Sequence, residues 1–270
     1  MQTIQLGSKG PAVVQLQHAL GIAVDGIFGT KTRDAVIAYQ RSHAYNGIPL
    51  TVDGIVGVQT WAALGINPVD DARPDIIMSP LSVHITKRTR RPILYLAIHY
   101  TAGSRSTAGA AKAVKSVFEK RSASADFCVD DTQILQFNPD PSNYYCWAVG
   151  DAHNPYTRGG RLYGKACNSN TISIEICSTL QKGTSSSAAN HPGWSFTDAA
   201  LRNAVALTKY LMQKYGIPID HVVRHYDITG KLCPGIVGWN DGPLYDTQGK
   251  KTTTQNTSDQ WIHFICMCQQ

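Results

Sequence analysis

The stretch from His225 to Cys233, HYDITGKLC, sets a histidine, a lysine and a thiol within one turn-rich loop that runs on into Pro234 and Gly235. Imidazole and thiolate together suit a borderline-soft cation such as zinc, and a hydrolytic site built on that ion needs three protein ligands and one open position. His99, near the end of the apolar run ILYLAIHY, completes a candidate set with His225 and Cys233. On spacing alone the set is weak, because a His near a Cys is common and dispersed histidines lack the compactness of a motif such as HExxH. Glu175 strengthens it. The chain holds only two glutamates, Glu119 and Glu175, and the second interrupts the apolar segment TISIEI. A carboxylate there demands a partner, either an arginine or a water whose proton it takes as general base. Lys231 offers an ammonium for charge developing on an attacked carbonyl oxygen, although a lysine in a loop is more often simply solvated.

These side chains need a scaffold, and the sequence supplies one. Ile93–Tyr100 is a continuous apolar run of the kind that forms a strand buried on both faces. A Thr-Ala-Gly loop and a helix follow, with Ala110, Val114 and Val117 expected on its apolar side. Phe127–Val129 and Ile134–Phe137 flank Asp130-Asp131 as hairpin strands, and Thr171–Ile176 alternates as another strand. Thr197 caps a long helix over Asp198–Lys214, stopped by Gly216, and a strand over His221–Arg224 delivers His225. Strands alternating with helices give an α/β domain with a mixed sheet flanked by helices. The stretch from Asn138 to Asn170 reads as loop, long enough to carry function.

The first part of the chain is different. DGIFGTKT at Asp25–Thr32 recurs as DGIVGVQT at Asp53–Thr60, and each copy opens on an Asp-Gly turn before an apolar-periodic helix. Val13, Leu16, Gln17 and Leu20 mark a further helix upstream, as do Ala35, Val36 and Tyr39 after the first copy. A compact helical domain over residues 1–66 follows. Prolines and scattered charge over 67–90 read as a linker, residues 91–240 as the catalytic domain, and 241–270 as an extension of no assigned role.

Composition bounds the possibilities. The 270 residues are 43% hydrophobic and 16% charged, ordinary for a folded protein. No segment is a candidate membrane span. The opening MQTIQLGSKG has neither a basic start nor an apolar run, so synthesis in the cytoplasm without a classical signal peptide is expected. The net charge of +6 falls outside residues 1–70, which carry four basic and four acidic groups. Lys87, Arg88, Arg90 and Arg91 form the densest basic cluster and read as a solvated connector; no interleaved aromatics or nucleic-acid motif accompany them. Seven cysteines without repeated spacing argue against a disulfide framework. Cys266 and Cys268 stay open between packing, pairing and metal binding.

Two family resemblances add to these readings. LGSKGPAVVQLQHAL, DGIFG, AVIAYQ and DGIVGVQTWAAL resemble the peptidoglycan-binding type 1 family, implying a small three-helix wall-binding module with Asp25, Tyr39, Asp53 and Trp61 as contact candidates near the two turns. For each of these four a turn or core role is the competing reading, and the more frequent one. AIHYTAG, SADFCVDDTQILQ, CWAVGD, NTISIEIC and HYDITGKLCPG resemble the type 2 N-acetylmuramoyl-L-alanine amidases. That resemblance implies Zn2+ on His99, His225 and Cys233, Glu175 as catalytic base and Lys231 at the oxyanion. It implies cleavage between the lactyl group of N-acetylmuramic acid and L-alanine, with bacterial peptidoglycan as partner, in a phage-type endolysin acting at the wall. A catalytically silent recognition protein of the same fold is the alternative, and the presence of Cys233 argues against it. Asp126 stands where many relatives place His or Tyr, and Ala148 where many read His. His153 and His221 are the competing histidines.

Overall fold

A computed structural model describes residues 3–45, 47–65, 74–184 and 187–269. The second of its two compact units begins at Pro74.

The first unit contains helices α1 (Pro11–Ala19), α2 (Thr30–Ser42) and α3 (Val58–Ala63), with a minimal hairpin of β1 (Ala44–Tyr45) and β2 (Ile48–Pro49). Its core gathers Ile4, Val13, Leu16, Phe28, Val36, Val56 and Trp61. The repeat has a structural meaning. Gln17 accepts from the amides of Asp25 and Gly26 and donates to Asp25 Oδ1, Ile27 O and Thr32 Oγ1. Gln40 does the same to Asp53, Gly54, Ile55 and Thr60. Each Asp-Gly turn is thus latched by a buried glutamine from the preceding helix, and each glycine adopts a left-handed φ, 69° at Gly26 and 72° at Gly54.

The second unit is built on a six-stranded sheet ordered β12-β5-β9-β6-β7-β3. Its strands are β3 (Ile76–Met78), β5 (Tyr95–Tyr100), β6 (Phe127–Val129), β7 (Ile134–Gln136), β9 (Thr171–Ile176) and β12 (Val222–Arg224). β12, β5, β9 and β6 run parallel, while β7 pairs antiparallel to β6 and carries β3 parallel to itself. The sheet is mixed, as expected. Peripheral pairs are β4 (Ile85–Lys87) with β8 (Tyr144–Cys146), β10 (Thr179–Leu180) with β11 (Trp194–Ser195), and β13 (Pro243–Tyr245) with β14 (Lys251–Gln255).

Side-chain alternation divides the sheet into two faces. Leu96, Ile98, Ile172, Ile174, Ile176, Phe127 and Val129 face α5 (Asp198–Tyr215) and α7 (Asp259–Gln269), together with Trp194, Trp239, Trp261 and Phe264. Helix α5 starts where Thr197 Oγ1 accepts from Ala200 N at 3.1 Å and ends at Gly216, φ 64°. On the other face Cys128, Leu135 and Cys177 pack with α4 (Ala110–Phe118), and Ala97 and Val223 pack with Val149, Ala166 and Ile228.

Four expectations are corrected. The linker over 67–90 shrinks: 67–73 lie outside the described residues, but β3 and β4 build residues beyond 74 into the second unit. Arg91 is no solvated connector. It is 5% exposed, and its guanidinium donates to Pro141 O, Asn168 O and Thr171 O. Helix α4 buries Ala111 and Phe118, with Val114 partly covered, whereas Val117 is exposed. The extension after 240 belongs to the fold: Trp261, Phe264 and Cys268 of α7 enter the main core, while Cys266 is exposed. All seven cysteines are free thiols.

Candidate active site

The parallel β5–β9 pair sets His99 opposite Glu175, and the β6–β9 pair sets Cys128 opposite Glu175. Residues opposite one another in a sheet point to the same face, so His99 and Glu175 leave the sheet side by side, away from α5 and α7. Both lie in the last two residues of their strands.

His225 comes from the adjacent edge. β12 runs directly into α6 (His225–Thr229), and a buried Arg224–Asp227 pair fixes this junction: Arg224 N and Nε donate to Asp227 Oδ2 at 2.9 Å and Nη2 donates to Oδ1 at 2.8 Å. Gly230 ends the turn at φ 80°, and a Cβ there would run into the Asn154 carbonyl. Tyr226 N then donates to Cys233 O at 2.9 Å, folding the loop back so that Cys233 returns beside His225.

His99 Nδ1 and His225 Nδ1 stand 3.1 Å apart, with Cys233 Sγ 3.7 Å from His99 Nδ1. One ligand atom from each of the three residues lies within 4.8 Å of the others, and all three residues are buried. Ligands at zinc bond lengths in a tetrahedron are separated by about 3.3 Å for N···N and about 3.6 Å for N···S, so the donor set fits that ion. His225 Nε2 is 2.9 Å from Val149 O. A carbonyl only accepts, so Nε2 carries the proton and Nδ1 keeps its lone pair toward the cluster.

Burial sets the protonation of the group. It lowers His99 well below the usual imidazole range, helped by the charges of His225 and Lys231, and it lowers His225 to about 4, with Lys231 adding to the effect. Both rings are neutral at pH 7, as ligands must be. Burial, with Glu175 nearby, pushes the Cys233 thiol to about 12, and it pushes Glu175 to about 8 against the opposing Lys231 charge. Glu175 as a residue is only partly covered, yet its Oε2 is sealed from solvent and lacks a hydrogen-bond partner among the described residues. Lys231 is exposed, and its charge acts on all four groups from the solvent side.

Other candidates fall elsewhere. His153 is exposed and stacks on Tyr163, and His221 donates its Nδ1–H to Leu94 O at the opposite end of β12 from His225. Asp126 is 1% exposed, and its carboxylate accepts from Asn138 Nδ2, Ser173 N and Arg91. It holds structure and has no free oxygen for proton transfer. In the first unit Trp61 is fully buried, which removes it from the contact surface. Tyr39 is half-buried, donating to Ala63 O and stacking on His43. Asp25 and Asp53 each accept from their latch glutamine and from the amide two residues on. A cavity of about 260 Å³ opens at the second latch, lined by Gln40, Thr51, Asp53, Ile55, Gly57, Gln59 and Thr60. The glutamine latches escaped the sequence reading; their signal was a Gln eight or thirteen residues before a repeated Asp.

A mixed sheet thus carries, beside a glutamate, a buried His-His-Cys group of the kind that can hold a metal ion. The family model for N-acetylmuramoyl-L-alanine amidase matches residues 89–236, more than half of the sequence, and the chain belongs to that family. A model for a peptidoglycan binding domain matches residues 9–64. Among similar proteins are two from Bacillus subtilis (strain 168): N-acetylmuramoyl-L-alanine amidase CwlA, 30% identical over 140 residues, 52% of this chain and 42% of that one, and N-acetylmuramoyl-L-alanine amidase XlyB, 31% identical over 140 residues, 52% of this chain and 36% of that one. The matches thus span less than half the length of either relative. The solved catalytic domain of XlyA aligns at TM-score 0.47 and 25% identity over 72% of this chain and 99% of that one.

Proposed function

We propose that this chain hydrolyses the amide bond joining the lactyl group of N-acetylmuramic acid to L-alanine of the stem peptide, with Zn2+ held by His99 Nδ1, His225 Nδ1 and Cys233 Sγ. One observation carries this reading: three buried ligand atoms within 4.8 Å of one another stand beside a glutamate whose sealed oxygen has no partner among the described residues. When bound, zinc supplies Lewis acidity that polarises a carbonyl and makes water easier to deprotonate.

Glu175 takes the proton of the attacking water and returns it to the departing amine. The positive charge of a neighbouring cation favours its carboxylate form at neutral pH, drawing it down from the raised value of the metal-free site. Lys231, on the solvent side, sets its ammonium against the negative charge that grows on the carbonyl oxygen. Cys233 as thiolate reduces the net charge of the site relative to an all-neutral ligand set.

The first unit holds the enzyme on peptidoglycan, with Asp25, Asp53 and Tyr39 near its contact surface and a cavity beside Asp53. Tethering raises the concentration of cleavable bonds without adding contacts at the reacting atoms. The product would be a phage-type endolysin acting at the bacterial wall. Among the described residues, no helix is long and apolar enough to cross a membrane.

The test is a soluble muramoyl dipeptide, free of any polymer, incubated with the full chain. Mass spectrometry is expected to show a free lactyl carboxylate and a free L-alanine amine. Cleavage within the peptide instead, or none with zinc bound, would overturn the assignment.

A further inference from the structure

His225 owes its orientation to a carbonyl that no regular element holds. Its Nε2–H donates to Val149 O at 2.9 Å, and Val149 lies in the irregular stretch between β8 and β9. The position of that carbonyl is set by a side chain: Asn168 Oδ1 accepts from Ala148 N at 3.0 Å and from Val149 N at 2.9 Å. Asn168 is anchored in turn. Its own carbonyl accepts from Arg91 Nη1 at 3.1 Å, and the same nitrogen donates to Thr171 O at 2.9 Å. Arg91 is paired at 3.4 Å with Asp126, whose second oxygen accepts from Ser173 N in β9 at 2.8 Å.

A line of contacts therefore runs from the sheet through the buried Arg91–Asp126 pair, Asn168 and the Ala148–Val149 peptide to the far nitrogen of His225. Asp126 and Ala148, the two sequence departures noted above, both stand on it, separated by Arg91 and Asn168. Ala148 contributes an amide, and Asp126 a carboxylate that holds the arginine.

We propose that Asn168 is a positioning residue for the metal centre, fixing through the Val149 carbonyl both the ring plane of His225 and the tautomer that leaves Nδ1 free to bind the ion. A neutral imidazole carries its proton on either nitrogen, and only the acceptor at Nε2 selects the form with a lone pair at Nδ1. With the Asn168 side chain gone, two amides lose their shared acceptor, the Val149 carbonyl is released, and protonated Nδ1 competes with the metal. The inference rests on the zinc reading above.

The test uses the full chain, with zinc affinity measured by competition against a chromophoric chelator and the tautomer of His225 in metal-free protein read from its imidazole 15N shifts. Asn168→Ala is expected to bind zinc about tenfold or more weakly, in the range seen when outer-shell partners of metal ligands are lost, and to show mixed tautomers. Asn168→Asp keeps the acceptor oxygen and is expected to restore both readings, which a general packing defect would not predict. Wild-type chain that takes up no zinc overturns the metal reading and this inference with it. Wild-type chain that binds zinc, beside an Asn168→Ala variant with equal affinity and an unchanged Nε2–H tautomer, overturns the positioning role alone.

Discussion

His99 and Glu175 are register partners across the parallel β5–β9 pair, so a metal-ligand candidate and a carboxylate leave adjacent strands side by side. The consequence is a glutamate with one sealed oxygen that has no partner among the described residues, and a pKa pushed up to about 8 in the metal-free protein.

That value has a stability signature. The folded carboxyl stays protonated up to about 8, whereas the unfolded one ionises near 4.5. Between these limits the folded state binds more protons than the unfolded state, so metal-free stability falls as pH rises through this window. Glu175→Gln removes the titration. Thermal or denaturant unfolding of the metal-free variant is expected to flatten the pH dependence and to gain on the order of a few kcal/mol over wild type near pH 8. An unchanged slope would show that Glu175 is not the titrating group.

Glu175→Gln should also retain zinc while losing turnover by about 10²–10⁴-fold, the span of a general acid–base contribution. Metal content and kcat on the soluble muramoyl dipeptide check this. Loss of zinc in the same variant would reassign the residue to metal retention.

Lys231 and Cys233 are separated by one residue and should fail differently. Cys233→Ala is expected to lose zinc and activity together. Lys231→Ala is expected to keep zinc and lose about 10²–10³ in kcat, as for a missing oxyanion donor. The chain has room for this distinction because Lys231 is exposed while Cys233 is buried. Full activity in either variant would remove that residue from the mechanism.

In the first unit, Trp61 is core. Trp61→Ala should destabilise that unit by about 3–5 kcal/mol and weaken sedimentation with insoluble walls, yet leave hydrolysis of the soluble dipeptide unchanged. Calorimetry with a wall pull-down separates the two effects. A loss of soluble-substrate turnover would contradict independent roles for the units.

Much of this was readable in the residues. ILYLAIHY announced β5 because a strand buried on both faces leaves few polar positions, and TISIEI announced β9 by its alternation, with a lone Glu standing out in it. Thr197 and Gly216 marked α5 because caps are local chemistry. What escaped the reading was long-range. β3 and β4 are three residues each, too short for any period to show, and prolines nearby made them look like linker. Arg91 looked solvated within a basic cluster, since its partners Asp126, Pro141, Asn168 and Thr171 lie 35 to 80 residues away. Helix α7 lies in the stretch that the sequence left without a role, and only the fold shows that Trp261 and Phe264 pack beside Trp239. The aromatic candidates of the first unit divided along the same line: Trp61 went to the core, while Tyr39 kept a covered edge through its bond to Ala63 O.

The central claim is that His99, His225 and Cys233 hold the zinc on which amide cleavage depends. Its most direct measurement is the release of new L-alanine amino groups from purified cell walls by the full chain as isolated, after chelation, and after zinc is returned. Release that stops on chelation and resumes with zinc is the predicted result. Release that continues at the original rate from protein verified free of metal would contradict it.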